Sequence, residues 1–123
     1  MSDASIKIAK QIYEAFSHRD RAQLEKLFDK NFHFTSPLDN RLSYDTYFER
    51  CWPLSEEAGE FRFIHVVADG PRVFVTYESK TKDGHMFRNT EIVTIKNDKV
   101  TEVEVYFGWD LPHKAPPGSF VDE

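Results

Sequence analysis

Cysteine is nearly missing from this chain. Cys51 is the only one among 123 residues, so no internal disulfide can form, which fits a reducing compartment. Basic clusters are missing too. Lys and Arg number 16 against 21 Asp and Glu, for a net charge of −5. Without a Lys/Arg stripe there is no surface to track phosphates, so nucleic acid is excluded as the expected partner. No apolar run is long enough to span a bilayer and the first residues are polar, so neither a membrane partner nor a signal peptide is expected and the cytoplasm is the default location. Glycine is scarce, at 5 residues, and none of them builds a phosphate-cradling loop. The histidines at 18, 33, 65, 85 and 113 show no ligand spacing, so no metal site and no cofactor are expected.

What the chain has in quantity is aromatic surface: 15% Phe, Trp and Tyr, with 11 phenylalanines. Large rings bury much area and leave gaps that helices and a curved sheet can enclose. The length suits one domain over residues 1–123 with a core of its own. Ser2-Asp3 can cap a first helix carrying Ile8, Ile12, Tyr13 and Phe16 at helical spacing. Asp20, with Gln23 three residues on, starts a second, shorter helix with Leu24, Leu27 and Phe28 at core positions. Phe32 to Ser36 alternates as a short strand, which Pro37 ends by lacking an N–H. Leu38 to Arg41 reads as a turn. Ser43 then caps a third helix in which Tyr44, Tyr47, Phe48, Cys51 and Trp52 form one nearly all-aromatic face, closed by Pro53. Leu54 to Glu60 reads as an acidic loop.

From Phe61 the period changes to two, with Phe61, Phe63, His65 and Val67 on one face. Asp69-Gly70-Pro71 and Thr81-Lys82-Asp83-Gly84 are turns. The second sets Tyr77 opposite Asn89 and Val75 opposite Glu91. A three-residue first turn would set Phe63 opposite Tyr77 and His65 opposite Val75. His65, Tyr77, Asn89 and Glu91 then share a face with Phe63 and Phe87, while Arg88, Thr90, Thr94 and Lys96 face solvent. At Asn97-Asp98 a three-residue loop sends Val103, Val105 and Phe107 inward, and a two-residue loop sends Glu102, Glu104 and Tyr106 inward. The apolar set is expected inside, because burying three glutamates is costly. Residues 110–123, with three prolines, are expected to run as an extended tail.

The order helix, helix, short strand ending in Ser-Pro, aromatic helix and four-stranded meander resembles the NTF2-like, cystatin-type α+β cone, with N-terminal helices on a curved, mostly antiparallel sheet. The residues that carry the resemblance are Phe34-Thr35-Ser36-Pro37-Leu38-Asp39, Tyr47-Phe48-Glu49-Arg50-Cys51-Trp52-Pro53, Arg88-Asn89-Thr90-Glu91 and Val103-Glu104-Val105-Tyr106-Phe107-Gly108-Trp109. They look most like the SnoaL-like branch, the polyketide cyclase and ketosteroid-isomerase-like proteins, over about residues 5–109. The resemblance is specific for fold and says little about reaction, since this fold hosts enzymes and binding modules alike. In the steroid isomerase branch an aspartate that shuttles protons precedes the proline of the short strand. Here that position is Ser36, and serine cannot take that role near neutral pH. Tyr13 lies near that branch's helix-1 tyrosine once one residue is deleted between the first helices.

His65 and Glu91 are the candidate acid–base pair, since histidine titrates near neutrality and burial raises a glutamate's pKa. Asn89 and Tyr77 can donate to a carbonyl or enolate oxygen, or satisfy each other across the hairpin. Tyr13, Phe34, Ser36, Tyr47, Phe48, Trp52, Phe63, Phe87 and Phe107 complete the candidate ligand wall. Ser36 has no nucleophile elbow around it, and Cys51 sits on an apolar face as an inert thiol. The leading expectation is a domain that binds a small, largely apolar molecule bearing a carbonyl or hydroxyl. The second is a cofactor-free isomerase, cyclase or dehydratase using Glu91 or His65. A third is a dimeric interaction module without ligand, joined through Ile64, Val66, Phe74 and Ile92 on the other sheet face.

Overall fold

The computed structural model describes residues 2–111. Two helices, α1 (Ser2–Ser17) and α2 (Arg21–Leu27), lead into β1 (Phe28–Ser36) and β2 (Asp39–Ser43). Helix α3 (Tyr44–Arg50) and a 3-10 helix (Trp52–Glu56) follow, then β3 (Phe61–Asp69), β4 (Arg72–Lys80), β5 (Met86–Lys96) and β6 (Lys99–Leu111). The six strands form one sheet in the order β2-β1-β6-β5-β4-β3. Only the β1–β6 pair is parallel. Among the described residues no helix is long and apolar enough to cross a membrane.

Local sequence explains the helix starts. The Asp20 carboxylate accepts from the Gln23 N–H at 3.2 Å, and Ser43 Oγ accepts from the Thr46 N–H at 3.3 Å. Each cap pairs a backbone donor that the first turn leaves free. Ala9, Ile12, Tyr13 and Ala15 of α1, Leu24 and Leu27 of α2, and Tyr47 and Phe48 of α3 bury the apolar stripes against the sheet. Pro53 follows α3 inside a tighter 3-10 turn, so part of the expected acidic loop is helical, and Glu57 O ties the rest to the β4–β5 hairpin by accepting from Lys82 N at 3.1 Å.

Three boundaries differ from the sequence reading. β1 begins at Phe28, not Phe32, because Phe28 leaves α2 in extended conformation and its ring stacks on Phe32 with centroids 4.1 Å apart. Leu38–Arg41 is not one turn: Asp39, Asn40 and Arg41 already belong to β2, and Ser36 pairs with Asp39. Asp110 and Leu111 are not tail but the end of β6, paired with Phe87 and Met86; residues 112–123 lie outside the described residues.

Register decides which side chains point into the cone. The Thr81–Gly84 turn behaves as read, with Thr81 N donating to His85 O at 2.8 Å and Gly84 at φ +95°, so Tyr77 meets Asn89 and Val75 meets Glu91. The first hairpin does not. Its loop has two residues, pairing Asp69 with Arg72, so His65 falls opposite Thr76 and Val66 opposite Val75. A bulge at Ile64 then restores Phe63 to Tyr77. The extra residue lets Val66 and Ala68 pack inward at one end of β3 and Phe61 and Phe63 at the other. It also puts His65 on the outer face, exposed, beside Val67. Val66 accordingly leaves the expected outer patch, and Val67 takes its place.

The last hairpin combines both alternatives. Asn97 and Asp98 have positive φ, 52° and 61°, as a two-residue turn requires. A bulge at Thr101 then shifts the register so that Thr94 meets Glu102 and Val93 meets Val103. Val103 and Val105 are buried while Glu102 and Glu104 stay outside. A second step lies between Phe107 and Asp110. There a Cβ on Gly108 would stand 1.9 Å from Arg88 O, so only glycine allows the approach.

Candidate functional site

Two neighbouring rows of the inner face carry the polar groups. Val75, Glu91 and Val105 lie side by side on β4, β5 and β6, and Tyr77, Asn89 and Phe107 lie beside them toward the open end of the cone. Helix α1 lowers Tyr13 onto these rows. The Glu91 carboxylate accepts from Tyr13 Oη at 2.8 Å through Oε1 and from Tyr77 Oη at 2.6 Å through Oε2. Tyr77 Oη accepts in turn from Asn89 Nδ2 at 3.2 Å, while Asn89 Oδ1 accepts from the Gly108 N–H at 3.1 Å. That last bond fixes the amide, because a backbone N–H can only donate. Asn89 Nδ2 therefore faces the cavity side and keeps a second hydrogen beyond the one given to Tyr77.

Electrostatics follow from burial. Glu91 is 7% exposed, and desolvation raises its pKa above the ordinary carboxyl range, although the Tyr77 and Tyr13 hydroxyls pull it back. Tyr13 and Tyr77 are pushed up first by burial and then by the Glu91 charge; Tyr47 is raised chiefly by burial. These phenols stay protonated and serve as donors. Burial also pushes the Cys51 thiol up to about 11, far from the thiolate range that reactivity needs.

The rows open onto a cavity of about 400 Å³, within the size range of small-molecule sites. Of the expected wall, Tyr13, Phe34, Ser36, Tyr47, Tyr77, Phe87, Asn89, Glu91 and Phe107 line it. Four expected residues do not. His65 is on the opposite face of the sheet for the register reason given above, so the His65–Glu91 pair does not exist. Phe48 and Trp52 are buried in the aromatic stack of α3 with Tyr44 and Phe16. Phe63 stands behind Tyr13, ring centroids 5.9 Å apart.

Other lining residues lie outside the candidate wall read from the sequence, among them Ile12, Phe28, Phe61, Ser79, Cys51 and Asp39. Period two carries Phe61 and Ser79 onto the inner face with Phe63 and Tyr77, so that signal was present. Asp39, read in the sequence only as part of a turn and of the motif that carries the resemblance, enters through the β1–β2 pairing. Among the described residues no group of three or more His, Cys, Asp or Glu is placed to hold a metal ion.

The sequence profile of the SnoaL-like domain matches residues 9–103. The chain belongs to the SnoaL-like family. No curated protein matches the sequence. Solved structures of similar shape include an LEH-like epoxide hydrolase from M. tuberculosis, with TM-score 0.74 and 13% identity over 87% of this chain and 84% of that one. A Kribbella flavida protein whose name proposes a ketosteroid isomerase superposes with TM-score 0.75 and 14% identity, covering 99% of this chain and 90% of its own. A Sinorhizobium meliloti protein whose name proposes a polyketide cyclase gives 0.69 at 19% identity, covering 80% and 93%. Identities this low establish the fold, a SnoaL-like, NTF2-like cone, and leave the chemistry to the site itself.

Proposed function

We propose that this SnoaL-like domain binds a small, largely apolar molecule in the cone and holds its carbonyl or hydroxyl oxygen at the Asn89–Tyr77–Glu91–Tyr13 chain. The observation that carries the reading is the fixed Asn89 amide, which keeps a spare N–H beside aromatic rings of the cavity wall. A ligand oxygen supplies the acceptor that this donor lacks, and the surrounding rings bury the ligand's body. Both oxygens of Glu91 are already held by hydroxyls, which favours a fixed anchor over a mobile base. The test uses 2-acetonaphthone as a probe ketone, titrated by calorimetry. Asn89→Ala is expected to weaken binding about tenfold. Ala58→Trp, which places a ring at the cavity wall, is expected to abolish it while circular dichroism stays native. Undiminished binding to the Ala58→Trp protein would remove the cone as the binding site.

A second reading, a cofactor-free isomerase, cyclase or dehydratase, is supported by the raised pKa of Glu91 in an apolar cavity. His65 has no part in it. If Glu91 acts as a base, the methyl protons of bound 2-acetonaphthone exchange with D₂O faster with the protein than without, and Glu91→Gln cancels the gain. Exchange at the uncatalysed rate would discard this reading. We also propose a homodimer through the outer sheet face, supported by the partly exposed Val67, Phe74 and Tyr106, and a cytoplasmic location, supported by the single cysteine. A monomer by sedimentation equilibrium, or secretion of a tagged copy, would overturn these in turn.

A further inference from the structure

The cavity has a second polar end that the binding reading does not use. Ser36 pairs with Asp39 across the β1–β2 turn, and both line the cavity. Ser36 Oγ donates to Asp39 Oδ2 at 3.1 Å and accepts from the Leu38 N–H at 3.1 Å. Arg50, from the last turn of α3, donates through Nε to Asp39 Oδ1 at 2.7 Å. The Asp39 side chain is only 12% exposed although Arg50 is 60% exposed, so the carboxylate looks inward while its counter-charge reaches outward. A carboxylate offers about four acceptor positions, and Arg50 and Ser36 occupy two of them.

Its position relative to Glu91 follows from the sheet. The parallel pair Thr35–Glu104 puts Ser36 beside Val105 one residue further on, Val105 pairs with Glu91, and Asp39 pairs with Ser36. Asp39 and Glu91 therefore lie on one row, Asp39 at its β2 end and Glu91 three strand spacings, or about 14 Å, away at Cα. Between them the wall is Val105 and, above it, Phe34 and Val103.

We propose that Asp39, held by Ser36 and Arg50, is a second ligand subsite, and that the ligand is an apolar molecule bearing an oxygen acceptor at one end and a hydroxyl donor at the other. This rests on the cone being the binding site. Arg50 already balances the Asp39 charge, so the subsite selects a neutral hydroxyl over an ammonium group, and a group with no hydrogen to give gains nothing there.

The experiment titrates three probes by calorimetry: 6-acetyl-2-naphthol, its 6-methoxy analogue, in which the hydroxyl hydrogen is replaced by methyl, and 2-acetonaphthone, which lacks the second oxygen. The naphthol is expected to bind about tenfold tighter than either of the others. In Asp39→Ala that preference falls to unity while 2-acetonaphthone binds as before, which also reports that the cavity is intact. The methoxy comparison needs no variant, so it stands even if Asp39→Ala fails to fold. Equal binding of all three probes to the native protein, or a preference that survives Asp39→Ala, overturns the subsite and leaves the cone reading standing. No binding of any probe overturns both.

Discussion

Glu91 on β5 and Glu78 on β4 project from opposite faces of one sheet, and their surroundings differ in kind. Glu91 is walled by aromatic rings and receives two neutral tyrosine hydroxyls. Glu78 lies between two guanidiniums, with Arg62 Nη1 donating to Oε1 at 2.5 Å and Arg88 Nη2 donating to Oε2. Arg88 in turn lies over the Trp109 ring, 5.6 Å from its centroid. Hydrogen bonds from Arg88 and Arg62 lower the Glu78 pKa, whereas desolvation raises that of Glu91. Identical side chains are thus pushed in opposite directions by the face they occupy. The inner one is a buried polar group whose neighbours matter to stability; the outer one is an ion pair on the solvent side of the sheet, covered by its own guanidiniums, with Glu78 14% exposed and Arg62 77% exposed.

The sharpest break in this contrast comes from Gly108. Replacing it with alanine drives a Cβ into the Arg88 carbonyl and forces the β5–β6 bulge apart. The loss expected in urea denaturation is about 3 kcal/mol or more, with Asn89 released from its backbone anchor. A loss within error would mean that the bulge relaxes freely. Next comes Tyr77→Phe, which strips one donor from the buried Glu91 carboxylate and leaves Asn89 Nδ2 without an acceptor. A cost of about 2 kcal/mol is expected, and a smaller one would show that cavity water replaces the hydroxyl.

The pH response separates the two glutamates by sign. Because the folded pKa of Glu91 is raised, its contribution to stability is present below the ordinary carboxyl value of 4.5 and is lost as pH rises through the raised value. Glu91→Gln should therefore gain relative stability as pH rises from about 4 to about 8, read as urea midpoints across that range. A constant difference would contradict the raised pKa. Glu78, whose folded pKa is lowered, contributes above the ordinary value and loses that contribution as pH falls through the lowered one. Glu78→Gln is expected to move the midpoint least, and its effect should fade with added salt, since the Arg62 partner is 77% exposed and open to screening. A Glu78→Gln shift as large as that of Tyr77→Phe would erase the distinction between the faces.

Much of this was legible in the sequence because it depends on neighbours in the chain. Asp20 and Ser43 announce their helices by capping chemistry, and the Asp83-Gly84 turn placed Tyr77, Asn89 and Glu91 on one face. His65 was misplaced for a physical reason. Period two holds only while the ladder is regular, and one inserted residue at Ile64 reverses the face of everything after it. The last strand shows the converse: its two-residue turn would have buried Glu102 and Glu104, and the bulge at Thr101 corrects it.

By itself, the sequence determined the three helices, the four-strand meander, the inward aromatic stripe and the pairing that sets Glu91 on one face with Tyr77 and Asn89. These follow from side-chain periodicity and local hydrogen bonding, which act over a few residues. Tertiary structure alone decided where strands slip, that α1 delivers Tyr13 to Glu91 across 78 positions of chain, and that Asp39 joins the same cavity. Those contacts arise only when distant segments close the cone, and burial there, not local propensity, selects which register the strands keep.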